Sequence, residues 1–252
     1  MTERLQSMEM DDAPYLVVGL GNPGREYRKS RHNVGFMVID MLGKDLSINL
    51  TRVQSRAIFG SGSYAGRRVI LAKPLTFMNL SGQAVNALVN FYKVPLQHLL
   101  VINDDLDLPV GALRLRAGGG SAGQKGMISI IERLGTQDFP RLRVGIGRPP
   151  GKLDAADFVL HEFPKGELEL VEQTLARASQ AACAFIRDGL EKAMTNFNGG
   201  VADRDAAVAS RLAKKSAPPS AGEGIAGHDP ASEGDGAKIT PSVPAENNPV
   251  DE

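Results

Sequence analysis

Residues 15–20, YLVVGL, form an unbroken apolar run that stops in a Gly-Asn-Pro-Gly turn. Consecutive rather than alternating apolar side chains predict a strand, Tyr15–Leu20, covered on both faces. A chain built around such a strand needs a sheet with helices on each side. The turn carries Asn22, and ten residues later come His32 and Asn33. Ligands of open α/β sheets bind beyond the carboxyl ends of the strands. Imidazole is the side chain best matched to proton transfer near neutral pH, and carboxamides both donate and accept hydrogen bonds. The segment therefore reads as half of a hydrolytic site.

The rest of the pattern completes an α/β chain. Val34, Val38, Met41 and Leu42 predict a helix over about 33–45, and Ala57–Tyr64 with Arg68–Ala72 predicts a hairpin turned by Ala-Gly. A helix from Ser81 to Tyr92 precedes the apolar strand Leu99–Asn103. ALRLRA predicts a strand with Arg114 and Arg116 on one face. The glycine-rich GGGSAGQKG (118–126) leads into a helix bearing Met127, Ile130 and Ile131. Arg141–Ile146 reads as another strand and Asp157–Leu160 as one more short strand. Leu168, Val171, Leu175, Ala178, Ala182 and Phe185 mark a long amphipathic helix, which Gly189 breaks before a last short helix through Asn196. The expected architecture is a single α/β domain over 14–198: a mixed, mostly parallel β-sheet with helices on both faces. Residues 1–13 read as a flexible leader, and 199–252 as an acidic, Pro/Gly/Ala-rich, largely disordered tail.

Zero net charge hides an asymmetry. Residues 216–252 hold seven acids and one base, whereas 1–215 hold 28 Lys+Arg against 22 Asp+Glu, so the body carries +6 and the tail −6. A mildly basic body fits a polyanion partner. No run approaches the ~20 apolar residues that span a bilayer, and the acidic N-terminal stretch has no apolar signal core. The single cysteine, Cys183, leaves no internal disulfide framework. These features predict a cytoplasmic protein without membrane association.

Gly19-Leu-Gly-Asn-Pro-Gly24 formally matches the dinucleotide fingerprint G-x-G-x-x-G. Pro23 inside it, the charged REYRKSRHN where a phosphate-binding helix should begin, and the lack of an acid at the end of a second strand about 20 residues on (Asp40 falls in the helical pattern) all weigh against that reading. Of four histidines, only His32 stands in a glycine turn with amides nearby. The strand VIN opens onto Asp104, Asp105 and Asp107, which suit a divalent cation, a set of turn caps, or one aspartate accepting from a histidine Nδ1–H. No further carboxylate cluster completes a cation cage, so the third option is preferred and no metal is expected. In TFMNLSG (76–82), Ser81 lacks the nucleophile elbow and reads as a helix N-cap, while Asn79 can donate to a carbonyl or hold a water. The loop 118–126 reads either as flexible or as a mobile lid carrying Lys125. Arg114, Arg116, Arg141 and Arg143 stand at alternate strand positions, as a basic stripe would.

VVGLGNPGREYRKSRHNVG, TFMNLSG, NDDLDLPVG, the GGG–GQKG loop and FPRLRVGIG resemble, in this order, the segments of the bacterial-type peptidyl-tRNA hydrolase family. The resemblance runs from about Leu16 to Asn196. It implies hydrolysis of the ester between a peptide and the 3′ ribose of tRNA, the partner being the acceptor stem and 3′ end of peptidyl-tRNA; an ester is labile enough for base-activated water without cofactor or metal, and a monomer is expected. His32 matches the family's general base, Asp104 its supporting aspartate and Asn22 a substrate-contacting asparagine. Tyr27, Phe77 and Asn79 match substrate-contacting positions. Arg116 and Arg143 fall where the family has basic residues for the tRNA backbone. One position departs: where the family commonly has asparagine after Gly-His, this chain has Gln124-Lys125. Lysine cannot accept a hydrogen bond, so Lys125 is assigned to a phosphate or a substrate carbonyl. The amides of Asn22 or Asn79, with loop N–H groups, are expected to stabilise the oxyanion, and the Asn22 carboxamide oxygen to accept from a peptide N–H. The alternative from another class is a non-catalytic RNA-binding protein on the same fold.

Overall fold

The computed structural model describes residues 13–198; the expected leader, apart from Ala13, and the acidic tail lie outside the described residues. Seven strands form one sheet: β1 (Tyr15–Gly19), β2 (Arg52–Gln54), β3 (Ala57–Tyr64), β4 (Arg67–Pro74), β5 (Leu99–Asp105), β6 (Leu113–Arg116) and β7 (Arg141–Gly145). Their order is β2-β3-β4-β1-β5-β7-β6. The central pairs β4–β1, β1–β5 and β5–β7 are parallel, and the edges are closed by antiparallel pairs. This is the mixed sheet with a parallel centre that the apolar runs predict.

β1 alternates between two cores. Tyr15 and Val17 face the helices α1 (Val34–Asp45), α5 (Leu168–Asp188) and α6 (Leu190–Phe197); Leu16 and Val18 face α2 (Ser81–Tyr92) and α3 (Lys125–Leu134). Every residue of β1 and β5 is buried. The stripe Val171, Leu175, Ala178, Ala182 and Phe185 is buried on α5 as its spacing demands, and Gly189 at φ +87° separates α5 from α6. The β3–β4 turn has Ala65 and Gly66 both at positive φ, the mirror-image turn that suits the twist of a hairpin.

β1 has β4 on one side and β5 on the other, so successive parallel connections leave it in opposite directions. Its carboxyl end is the switch point of the sheet. Gly19 and Gly35 bring α1 directly onto this point. A Cβ on Gly35 would lie 2.5 Å from Ile102 O, and one on Gly19 2.1 Å from Gly35 O. No larger side chain fits between the first turn of α1 and the β1–β5 pair.

Three expectations are corrected. Residues Ala155–Leu160 are a short helix, α4, and no strand: Asp154 caps it by accepting from Ala156 N (2.8 Å) and Asp157 N (3.4 Å). Ser81 opens α2 at its first helical position but makes no cap bond; its hydroxyl is buried without a partner. The arginine stripe exists in register, Arg114 opposite Arg143 and Arg116 opposite Arg141, yet it is not a free basic surface. Arg141 is buried, and its guanidinium donates to the carbonyls of Gly119, Gly120 and Gln137. Burial and the neighbouring Arg143 lower its affinity for its proton, which Asp138 partly restores. The same bonds pin the glycine-rich loop to β7, so the described loop is tethered rather than free. β2, three exposed residues without an apolar pattern, was not predicted.

Candidate active site

A cavity of about 640 Å³ opens at the carboxyl ends of β1 and β5, within the size range of small-ligand sites. One wall carries His32 and Asn22, a second Phe77, Met78 and Asn79, and a third the loop 121–125. Val159 and Leu160 of α4 form the fourth, and Asp104 lies at the floor.

His32 sits in a single 3-10 turn, Arg31–Asn33, immediately before α1. Its Nδ1 lies 2.7 Å from Asp104 Oδ2, across 72 residues of sequence. Asp104 is 5% exposed. A buried carboxylate accepting from Nδ1–H leaves Nε2 as the basic nitrogen. The other carboxylate oxygen, Oδ1, accepts from Gln124 Nε2 at 3.0 Å. Both oxygens of Asp104 are therefore engaged.

The loop after β1 is held by a carboxamide clasp. Asn33 Oδ1 accepts from Asn22 N at 2.8 Å, and Asn33 Nδ2 donates to Asn22 O at 2.9 Å. The Asn22 side chain then reaches the β4–α2 loop, where its Oδ1 accepts from Met78 N at 2.8 Å. This corrects the expectation for Asn22. Its oxygen is committed to a backbone N–H, and the group left to face the cavity is the amide NH2, a donor.

The three acids after VIN diverge. Asp104 takes His32, Asp105 pairs with the guanidinium of Arg143, and Asp107 takes Arg148 at 2.6 Å. Among the described residues no group of three or more His, Cys, Asp or Glu could hold a metal ion. Arg143 lines the cavity while bound to Asp105; Lys125 lines it and is exposed. Phe77 (60% exposed) and Asn79 also border it. Tyr27 and Arg116 do not: the Tyr27 carbonyl accepts from Ser30 N and Oγ, and Arg116 is exposed on edge strand β6.

Sequence reading missed two residues. Gln124 was noted only as a departure, yet it touches Asp104. Arg31, noted only as part of the charged run REYRKSRHN, is buried beside His32. Its guanidinium donates to Glu162 O and His161 O, pairs with Glu167 at 3.6 Å, and lies 4.3 Å and 4.9 Å from the ring centres of Phe158 and Phe163. Burial lowers its affinity for a proton, and Glu167 partly compensates. Arg31 thus bolts α4, the fourth wall, to the turn that carries His32. Its only advance signal is position, next to the histidine in a run containing other bases.

The family model described as peptidyl-tRNA hydrolase matches residues 16–206. The chloroplastic peptidyl-tRNA hydrolase of Arabidopsis thaliana is 50% identical over 186 residues, 73% of this chain and 65% of that protein. The peptidyl-tRNA hydrolase of Thermoanaerobacter sp. (strain X514) is 48% identical over 185 residues, 73% of this chain and 100% of that protein. Among solved structures, the peptidyl-tRNA hydrolase of Acinetobacter baumannii superposes with a TM-score of 0.71 at 34% identity. It covers 76% of this chain and 97% of its own.

Proposed function

The chain belongs to the peptidyl-tRNA hydrolase family, and we propose that it cleaves the ester between a peptide and the 3′ ribose of tRNA through water activated by His32. The observation that carries this reading is the 2.7 Å contact between His32 Nδ1 and buried Asp104 at the cavity floor. Asp104 fixes the tautomer, Nε2 takes a proton from water, and the imidazolium returns one to the leaving ribose oxygen. General base catalysis of this kind supplies about 10²–10⁴-fold. The Asn22 NH2 is a candidate donor for the developing oxyanion, with Asn79 on the same rim. Loss of one such donor costs roughly 3–4 kcal/mol.

The substrate body is placed by analogy with the family. The acceptor stem and 3′ end approach the cavity mouth, and exposed bases such as Lys125 and Arg116 meet phosphates, so affinity falls as salt rises. The reading includes a cytoplasmic monomer; among the described residues no helix is long and apolar enough to cross a membrane. The test is turnover of peptidyl-tRNA with a blocked amino terminus. Wild type should cleave it and His32→Ala should bind but not cleave. A wild type that binds without cleaving is the outcome of a non-catalytic RNA-binding protein, and retained turnover in His32→Ala removes the base assignment.

A further inference from the structure

We propose that Gln124 is a positioning residue for ester cleavage: its amide holds the Asp104 carboxylate in the plane that fixes the His32 tautomer, and it couples that carboxylate to the start of α3. The proposal rests on the reading of His32 as the base.

Gln124 is the N-cap of α3. Its Oε1 accepts from Met127 N at 2.7 Å, its backbone N–H closes a turn on Ser121 O at 3.0 Å, and its own carbonyl accepts from Ile128 N at 3.0 Å. Helix caps are ordinarily Ser, Thr, Asp or Asn, whose short side chains return to their own helix. Those side chains lack the reach that brings Gln124 Nε2 to Asp104 Oδ1 at 3.0 Å and to Met78 Sδ at 3.2 Å. Capping alone does not account for glutamine here. The second contact does.

The amide has one orientation. Turning it over would aim Oε1 at a carboxylate and Nε2 at the Met127 N–H, two like-with-like contacts in place of two hydrogen bonds. Gln124 is thus a donor of fixed polarity that carries no titrating proton. Asp104 is left one arrangement, Oδ1 to Gln124 and Oδ2 to His32, and the imidazole is left one tautomer. Gly126 leaves room for this approach, since a Cβ there would lie 2.6 Å from Met78 Sδ and 3.0 Å from Gln124 Oε1 and would push both side chains aside.

The test exchanges donor and acceptor. In Asp104→Asn the new carboxamide meets the Gln124 NH2 with its oxygen, so its own NH2 turns toward His32 and imposes the wrong tautomer. Cleavage should fall by roughly 10²-fold or more. Adding Gln124→Glu supplies an acceptor for that NH2, lets the carboxamide oxygen face His32, and leaves an oxygen to cap Met127 N–H. The double variant should therefore cleave about tenfold faster than Asp104→Asn alone, although Gln124→Glu alone is impaired. Alone it sets two carboxylates at hydrogen-bond distance; they share a proton, and the acid limb of the kcat profile moves to higher pH. Gln124→Leu gives a second route: kcat should fall about tenfold, the size of one lost hydrogen bond to a charged group. The Nδ1–H proton resonance of His32 should broaden with it.

A double variant no faster than the product of its single losses overturns the proposal, as does an unchanged kcat and Nδ1–H resonance in Gln124→Leu. A capping role alone would lower Tm without moving the acid limb. Inactive His32→Ala beside an additive double variant overturns this proposal and leaves the base assignment standing. Active His32→Ala overturns both.

Discussion

Arg31→Met should cost both stability and substrate affinity while sparing the chemical step. The guanidinium is buried, its side chain 7% exposed. Methionine keeps the stem's packing but removes the donor to Glu162 O. Losing a part-buried hydrogen bond from a charged donor costs about 1–3 kcal/mol. Loss of the cation from the faces of Phe158 and Phe163 costs about 1–2 kcal/mol more where the contact is dry. Glu167 is 38% exposed and its carboxylate stands 3.6 Å away, so its ion pair adds little. His161 O keeps the Arg31 backbone N–H at 3.0 Å and adds nothing. The sum is about 2–5 kcal/mol, or roughly 4–20 °C in Tm at the 2–4 °C per kcal/mol of a domain this size. Val159 and Leu160 on α4 wall the cavity, so a loosened α4 should raise KM about threefold or more. The His32–Asp104 contact is made elsewhere, so kcat should change less than twofold. Thermal melting and steady-state cleavage of N-blocked peptidyl-tRNA measure both effects. A Tm within 2 °C of wild type, or a fall in kcat at unchanged KM, refutes the argument.

Asn33→Ala removes both bonds of the clasp on Asn22, so it should cost about 2 kcal/mol of stability and lower kcat about tenfold at unchanged tRNA affinity. Unchanged kcat would show that Asn22 is placed without the clasp. Lys125 occupies the first position of α3, where the helix dipole disfavours a cation by about 0.3–1 kcal/mol. Lys125→Ala should therefore raise Tm slightly while weakening tRNA binding and reducing the salt slope by about one phosphate contact; affinity unchanged at every salt concentration would exclude that contact.

What the sequence made legible follows from how local each cause is. β1 and β5 are contiguous apolar runs, and α5 carries a stripe at helical spacing; each announces itself within its own residues. That the His32 loop would meet an aspartate after β5 was readable because both segments follow apolar strands whose carboxyl ends lie side by side in the sheet; that the aspartate is Asp104 came from the resemblance. α4 was misread because DFVL is shorter than a helical period needs to show, and its determinant, the Asp154 cap, lies outside the apolar run. A two-residue period put Arg141 and Arg143 on one face correctly but could not say that the loop 118–120 covers Arg141. Arg31 and Gln124 stayed hidden for the same reason. Their partners, Glu162 O and Asp104, lie 131 and 20 residues away, and no local pattern encodes which way a polar side chain turns.

The polarity of the site follows from which of its hydrogen-bonding atoms are already used. Asn33 spends its whole carboxamide on the Asn22 backbone, Gln124 divides its own between Asp104 and α3, and Asn22 gives its oxygen to Met78 N. Asp104 has both oxygens engaged, and Asp105 faces Arg143. Apart from Nε2 of His32, the atoms that these residues leave for a ligand are donors: the Asn22 NH2 and the Lys125 ammonium. Such a rim is matched to charge that develops on a carbonyl oxygen as water adds. An acceptor for a peptide N–H must come from other lining groups, the exposed Asn79 carboxamide or Asn103 Oδ1, which is buried without a partner. In the proposed mechanism Asn22 therefore acts on the rate of cleavage.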